Sequence, residues 1–529
     1  MVEQSGRYTA PAPATSAEGW RLERLTRPSR LFGANGIRTG KDGRIYVAQV
    51  AGSQVSAIDP MTGAIETISP TGGGITAPDD LAFDDDGNLY CTEITSNRVS
   101  VLRPNGRAEI IAADIFVANP ITVHQNRVIA GELRMGGRIL ELDRNGGAPR
   151  VIYEGVPMAN AFDVGPDGKL YFPAQGVNEI WRIDLAGGEP EVVARNLGVP
   201  DSVKFHPDGY IVSTQVFSGQ VLKIDPRTGD TSVLADIGPG LDNVTFVGNR
   251  IFVSHITGSI HEIVAPGDAR PLIDKGLQWP MGLAVNPDGT VYVGDGMFAY
   301  AVAPGREIEQ AGMLFGSGFP GFVRGVASSG AREWIVTTAN GTVARWTPGE
   351  PAETLAHGFE IPIGVALSAS AIIFADAGAG RVLSLENGEV TELAAGIDKP
   401  TGVAVSGDGT VYVSQPDAGR IVKLVGGKST TVLDGLSWPE GIAIRGDRLY
   451  AADTGAKSLV EIDLTTGAQR ALASNLPIGT PHGVPALRPS GVGDMCGPMN
   501  SFTGVAAGAD GALYVSGDAE GSVLALRPA

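Results

Sequence analysis

Apolar and polar positions along this chain alternate in short runs broken by turn residues, and no long stretch carries the three-to-four spacing of an amphipathic helix. Two such runs joined by a tight Asp-Gly turn, or a relative of it, recur about every 40 residues. The unit reads NGIRTGKDGRIYVAQ from Asn35, DDLAFDDDGNLYCTE from Asp79, DSVKFHPDGYIVSTQ from Asp201 and TGVAVSGDGTVYVSQ from Thr401. Each is a strand, a turn and a second strand. A third strand follows, as in QVSAIDP, EIWRIDL, QVLKIDP and SLVEIDL, and then a shorter fourth, as in EVVARNL. Four antiparallel strands at this period describe a propeller blade. Strict alternation is blurred because blades stacked face to face bury both faces.

The hairpins begin at Asn35, Asp79, Asn119, Asn160, Asp201, Asp242, Met281, Arg324, Ile363, Thr401, Glu440 and Thr503. They predict an all-β chain of two tandem six-bladed β-propellers rather than one very large ring. The last blade lacks a fourth strand after SVLALRPA, and RPLIDKGL (270–277) can supply it. WRLERLTR (20–27) can likewise complete the blade that holds SIHEIVA. Each ring would then close by strand exchange between its N- and C-terminal strands, which removes exposed edges. The expected division is an extended or disordered arm over 1–18, a first propeller over 19–267 and a second over 268–529. A Gly/Pro-rich loop over 477–502 interrupts the last blades, and MFAYAVAPGREIEQAGMLFGSGFPGF is a second insertion.

The first strand of a blade lines the central channel, so its starting residues gather at one mouth. In the first half these are Asn35, Asp79, Asn119, Asn160, Asp201 and Asp242, all Asn or Asp. The second strand returns to the same mouth and ends at Gln49, Glu93, Glu132, Gln175, Gln215 and His255, with Asn243 beside Asp242. The second half has Met281, Arg324, Ile363, Thr401, Glu440 and Thr503 instead. Single Asn or Asp residues serve well as turn and strand-start residues. Six of six in one ring suit a hard cation, which takes carboxylate, amide and carbonyl oxygens. The scarcity of Cys and His argues against tetrahedral zinc. The cofactor expected is a divalent cation, Ca²⁺ foremost, with Mg²⁺, Mn²⁺ or Zn²⁺ as alternatives. Asp295, Asp376 and Asp453, in VYVGD, IIFAD and LYAAD, read as turn contacts that stabilise blades. His124 and His206 fall in outer turns and read as surface groups.

The net charge of -18 disfavours nucleic acid as a partner. Cys91 and Cys496 are the only cysteines and form no framework of disulfides or metal ligands. No signal peptide or membrane-length apolar run is visible, so the default expectation is a cytoplasmic protein acting on a small molecule, away from membranes.

At the polar mouth the first half resembles the senescence marker protein/gluconolactonase group of six-bladed propellers, related to paraoxonases and strictosidine synthase. That group holds a divalent cation through a Glu entering blade one, Asn residues entering blades three and four, and an Asp entering blade five. Asn119 in ANPIT, Asn160 in ANAFD and Asp201 in PDSVKF match in type and order. Asn35 in ANGI departs from the Glu, and Asp79 or Asp242 could replace its charge. The run LDNVTFVGNRIFVSH also resembles the paraoxonase pattern through Asp242, Asn243 and His255, one blade out of step. The second half resembles NHL-type repeats, as in YVSQPDAGRIVKL and YAADTGAKSLVEI.

The resemblance implies a lactonase- or esterase-type hydrolase. Asp201 is the ligand and base candidate, with His255 and Glu132 next. Gln49, Glu93, Gln175, Gln215 and Asn243 would line the substrate pocket, and Asn35, Asn119, Asn160, Asp201, Asp79 and Asp242 would hold the cation. No Gly-x-Ser-x-Gly elbow, His-Glu-x-x-His or phosphate loop is present. Two other classes stand beside this one: a lyase or isomerase in the same pocket or in the second propeller, and a non-catalytic tandem-propeller scaffold. A second-propeller site would draw on Arg324, Glu440, His482 and Cys496.

Overall fold

The computed structural model describes residues 7–529. Among them there is no α-helix, and no helix long and apolar enough to cross a membrane. The strands of the described residues form twelve antiparallel sheets, eleven of four strands and one of five. This is the β-propeller type of architecture. The chain divides into two compact units, Arg30–Gln278 and Met1–Ser29 with Trp279–Ala529.

The turn chemistry explains the hairpins. In NAFDVGPDGKLYFPAQ, Gly168 takes φ +77°, which a side chain would resist. Asp167 Oδ1 accepts the Lys169 N–H at 3.1 Å, and its Oδ2 accepts the Tyr171 hydroxyl at 2.9 Å. The turn is thus locked by its own side chain.

In the unit Arg30–Gln278 each sheet uses four consecutive strands. Its inner strands are Ile37–Thr39, Pro78–Phe83, Ala118–His124, Asp163–Val164, Pro200–Phe205 and Leu241–Val247. Each contacts the next, and the sixth contacts the first. Apolar layers fill the gaps between sheets. The layer that joins last to first contains Leu31, Ile37, Val47, Phe252, Ile260 and Ile273.

In the other unit the inner strands are Leu283–Val285, Val323–Gly330, Pro362–Leu367, Val403–Val405, Pro439–Arg445 and Val505–Ala507, again in a closed cycle. A ring of six glycines sits just after the mouth positions: Gly282, Gly325, Gly364, Gly402, Gly441 and Gly504. A Cβ on Gly325 would lie 2.1 Å from Ile363 O, and one on Gly504 2.3 Å from Met281 O. Gly504 N–H donates to Met281 O at 3.1 Å, which joins the last sheet to the first. The inner strands approach so closely that only hydrogen fits.

Closure differs from the expected exchange. Asp268–Ile273 pairs with Ile260–Ala265 as the fourth strand of its own sheet. The two-residue turn Pro266-Gly267, with Gly267 at φ +79°, makes that local pairing immediate. Trp20–Arg24 pairs instead with Ser522–Pro528, from Trp20 opposite Pro528 to Arg24 opposite Leu524. Residues 19–29 and 268–278 therefore lie in the opposite units from those the exchange scheme gave them. Strand exchange closes one cycle of sheets, whereas the other closes through its apolar layer and through hydrogen bonds such as Thr39 N–H to Thr245 Oγ1 at 3.0 Å and Ser254 Oγ to Asn35 O at 2.7 Å. Part of the arm over 1–18 is ordered: Thr15–Ser16 adds a fifth strand to Gln469–Ser474. Residues 1–6 of that arm lie outside the described residues.

Candidate functional site

Four of the six inner strands of Arg30–Gln278 carry a β-bulge or irregularity where they begin, as between Pro78 and Leu81 and between Leu241 and Val244. A bulge re-aims side chains. Asp79, Asn119, Asn160 and Asp201 are buried there, and Asn35 and Asp242 partly buried. Asn160 Nδ2 donates to Asp201 Oδ2 at 3.0 Å, and Gln175 Nε2 donates to the same oxygen at 3.3 Å. Asn35 Nδ2 donates to Asp242 Oδ2 at 3.4 Å. Asp79 is 7% exposed, and among the described residues its carboxylate has no hydrogen-bond donor and no ion-pair partner. The Asn119 side-chain amide likewise has no protein partner among them.

Charge gathers at this mouth. Burial pushes the Asp201 carboxyl up to about 7, with the Gln175 hydrogen bond opposing and the Asp80 charge adding. Burial also raises Asp79 well above the carboxylate range, with Asp201 and Asp80 contributing. Asp242 rises through burial and then through Asp201, Asp79 and Asp80, against the Asn35 hydrogen bond. Asp79 and Asp201 lie on the second and fifth of the six inner strands in this closed cycle, so the Asp201 charge reaches Asp79 from the opposite side of the cycle. Among the described residues no Lys or Arg reaches any of the three at ion-pair distance.

Behind this layer lie Asn243, expected in the substrate pocket, and three residues the sequence reading passed over: Asp80, Arg38 and Lys204. Asn243 Nδ2 donates to Asp80 Oδ1 at 3.0 Å, and Asp80 Oδ2 accepts the Ile121 N–H at 3.1 Å. Asn243 Oδ1 is a buried acceptor with no partner. Two positions further along their strands, Arg38 donates to Leu81 O at 2.9 Å and Ile121 O at 3.0 Å, and Lys204 donates to Phe162 O at 2.7 Å. Burial brings the Lys204 amine down to about 8; Arg38 adds to this, while Asp163 and Asp80 oppose it. The signal was present in the sequence as charged residues one period inward on the channel-lining strands.

The second-strand ends do not line the pocket as a set. Gln49 Oε1 accepts the Phe32 N–H at 2.9 Å and its Nε2 donates to Ser56 at 2.9 Å. Glu93 accepts the Thr76 N–H at 2.9 Å and pairs with Arg98 at 2.6 Å. Gln215 Oε1 accepts the Gly198 N–H at 3.0 Å. These side chains brace the segment leading into the inner strand of their own blade. Glu132 does the same for the Phe116 N–H at 3.0 Å and pairs with Arg134 at 2.9 Å and with Arg138. Burial works to raise Glu132, but the bonds from Arg138, Arg134 and Phe116 hold it below its ordinary range. His255 Nδ1 accepts the Thr257 N–H at 3.1 Å, so its Nε2 donates to Pro239 O at 2.8 Å. Burial, opposed by the Pro239 bond, brings the imidazole down to about 4. Both ring nitrogens are occupied, and neither Glu132 nor His255 is free to act as a base. Gln175 is the exception, turned to Asp201.

Asp376 and Asp453 brace the other ring, accepting Ile361 N–H at 2.8 Å and Trp438 N–H at 2.8 Å, as expected of turn contacts. Asp295 accepts the Trp279 N–H at 2.5 Å in the same manner. His206 is not the surface group expected: it stacks on Tyr210 at 4.4 Å and meets Phe246 edge-on at 5.3 Å.

Of the four second-ring candidates, Glu440 lines a pocket together with Ile361, Ile363 and Trp438. Arg324 is 0% exposed and donates to Pro362 O at 2.9 Å and to Pro498 O. Cys496 is buried and its thiol raised by that burial, with Val492 and Arg324 opposing. His482 is exposed on the loop and Cys91 sits in an apolar layer, so neither joins a site.

No family model matches the chain, and no curated protein matches it. Among solved structures it is similar to a streptogramin B lyase, at 19% identity over 52% of this chain and 94% of that one, with a TM-score of 0.38. It is similar to virginiamycin B lyase from Staphylococcus aureus at 16% identity, over 55% of this chain and 98% of that one, TM-score 0.38. A chain of a nidogen/laminin complex is similar at 15% identity, over 40% of this chain and 84% of that one, TM-score 0.36. Likeness at this level bears on neither site nor substrate.

Proposed function

We propose that both compact units are six-bladed β-propellers and that Arg30–Gln278 is a metal-dependent hydrolase of a small-molecule lactone or ester. The reading rests on one observation: Asp79, Asp201 and Asp242 stand at the starts of inner strands, buried or partly buried and within reach of one another's charge, with no Lys or Arg among the described residues at ion-pair distance. Burying such charge unpaired is costly, and a divalent ion offsets it.

The donor set suits a hard cation. Among the described residues no three His, Cys, Asp or Glu side chains form a metal cluster by themselves. The amide oxygens of Asn119 and Asn160 would have to complete the set, a mixture that Ca²⁺ accepts and zinc does not favour. The unpartnered Asn243 Oδ1 adds a further oxygen deeper in the channel. When bound, the ion would polarise the substrate carbonyl and stabilise the oxyanion.

The remaining work belongs to side chains of this chain. Asn160 and Gln175 pin Asp201 through Oδ2, which leaves Oδ1 to take a proton from the attacking water. Asn35 orients Asp242. Asp80 and Asn243 form the floor.

A panel of lactones and aryl esters tests the reading. Hydrolysis should require Ca²⁺ or a similar ion, and fall about 100-fold or more in Asp201→Asn. Activity that persists in EDTA, or in Asp201→Asn, contradicts it.

A further inference from the structure

The other ring carries a pocket of its own. The loop over 477–502 crosses its mouth and is fixed at separate blades: Pro498 O accepts from Arg324, Gly497 packs on Ala339 O, and Arg488 pairs with Asp417 at 3.0 Å. Beneath it lies a cavity of about 440 Å³, within the range of small-molecule sites. Its apolar wall is Trp438, Ile361 and Ile363.

The charges are arranged unequally. Lys399 and Arg488 both line the cavity, and both pair with the single carboxylate of Asp417. Two cations share one anion, so each keeps donors free. Arg488 also lies over the Trp438 ring, 5.3 Å from its centroid. Behind Ile363 and Pro498, Arg324 is fully buried without an acidic partner at ion-pair distance, and its Nε has no acceptor. Two acids face the cavity. Glu360 stands exposed at the rim. Glu440 is buried at the floor, where Thr503 N–H and Trp438 Nε1–H donate to it at 2.6 and 3.1 Å. Burial, with the Asp518 charge adding and those two bonds opposing, brings Glu440 up to about 7, so near neutrality much of its charge is absent.

The geometry points to a binding site for a small organic acid, its carboxylate held by Arg488 and Lys399 and its apolar body against Trp438 and the two isoleucines. A guanidinium with free donors grips a carboxylate in a planar, two-point fashion that a lone ammonium cannot. The site is independent of the first-ring cation.

Calorimetry and Trp fluorescence on the full chain, with phenylacetate, hexanoate and the neutral phenylacetamide, test this site. The carboxylates should bind saturably, and phenylacetamide about ten-fold or more weaker. Arg488→Ala and Lys399→Ala should each weaken phenylacetate about ten-fold, whereas Asp417→Asn, which frees both cations, should tighten it. EDTA should leave the affinity unchanged. The proposal is overturned if neither acid binds, if the amide binds equally, if Arg488→Ala has no effect, or if EDTA abolishes binding and so places the acid at the first-ring mouth.

Discussion

Asp201 shows how one residue type takes its role from its surroundings. Its carboxyl titrates near 7 in the fold and near the ordinary 4 in the unfolded chain. The folded state holds the proton more tightly, so this contribution to stability is complete below about pH 4 and is lost as pH rises to about 7. The cation-free protein should therefore melt at falling temperature across that window. Added Ca²⁺ should reverse the fall, and Asp201→Asn should remove much of it; a flat profile by calorimetry contradicts the account. Glu132 behaves in the opposite sense, since its partners favour the charged form. Glu132→Gln should cost about 1–3 kcal/mol in denaturant unfolding and leave hydrolysis intact. The Asn/Asp set at the mouth was legible because it recurred at one position of a repeat. The bracing of Gln49, Glu93, Gln215 and His255 was not. Strand alternation tells which face a residue is on, and not which of two nearby partners its side chain turns to.

At the scale of the element, the hairpins were legible because Asp-Gly turns and apolar runs are local. Closure was not local. Residues 20–27 and 270–277 are similar segments of interleaved apolar and charged residues, and either could cap either ring on pattern alone. The turn Pro266-Gly267 decides between them, by placing one segment beside Ile260–Ala265 at the smallest loop-closure cost. The glycine ring was also written in the sequence, as a Gly directly after each mouth residue of the second half. Its meaning needed the approach of neighbouring strands. Gly325→Ala puts a methyl 2.1 Å from Ile363 O, where the neighbouring backbone must move. It should destabilise by about 1–3 kcal/mol, measured by thermal unfolding of the full chain. Gly305, at an open turn with nothing near its would-be Cβ, is the comparison site, although its φ of +67° adds local strain to any substitution.

For the whole molecule, the sheet order makes the chain start part of the unit that holds the chain end. Removal of residues 1–24 deletes the strand paired with Ser522–Pro528. It should lower the unfolding transition of the unit Trp279–Ala529 and leave the cation-dependent transition of Arg30–Gln278 in place. Loss of the cation-dependent transition instead would restore the original exchange scheme. The central claim is the proposal that the polar mouth of Arg30–Gln278 holds a divalent ion, with the amide oxygens of Asn119 and Asn160 completing a set drawn from Asp79, Asp201 and Asp242. Elemental analysis of the full chain after dialysis from Ca²⁺ tests it most directly. The account predicts about one Ca²⁺ per chain, lost in the Asp79→Asn/Asp201→Asn double variant. A metal-free wild type, or an unchanged metal content in that variant, would contradict it.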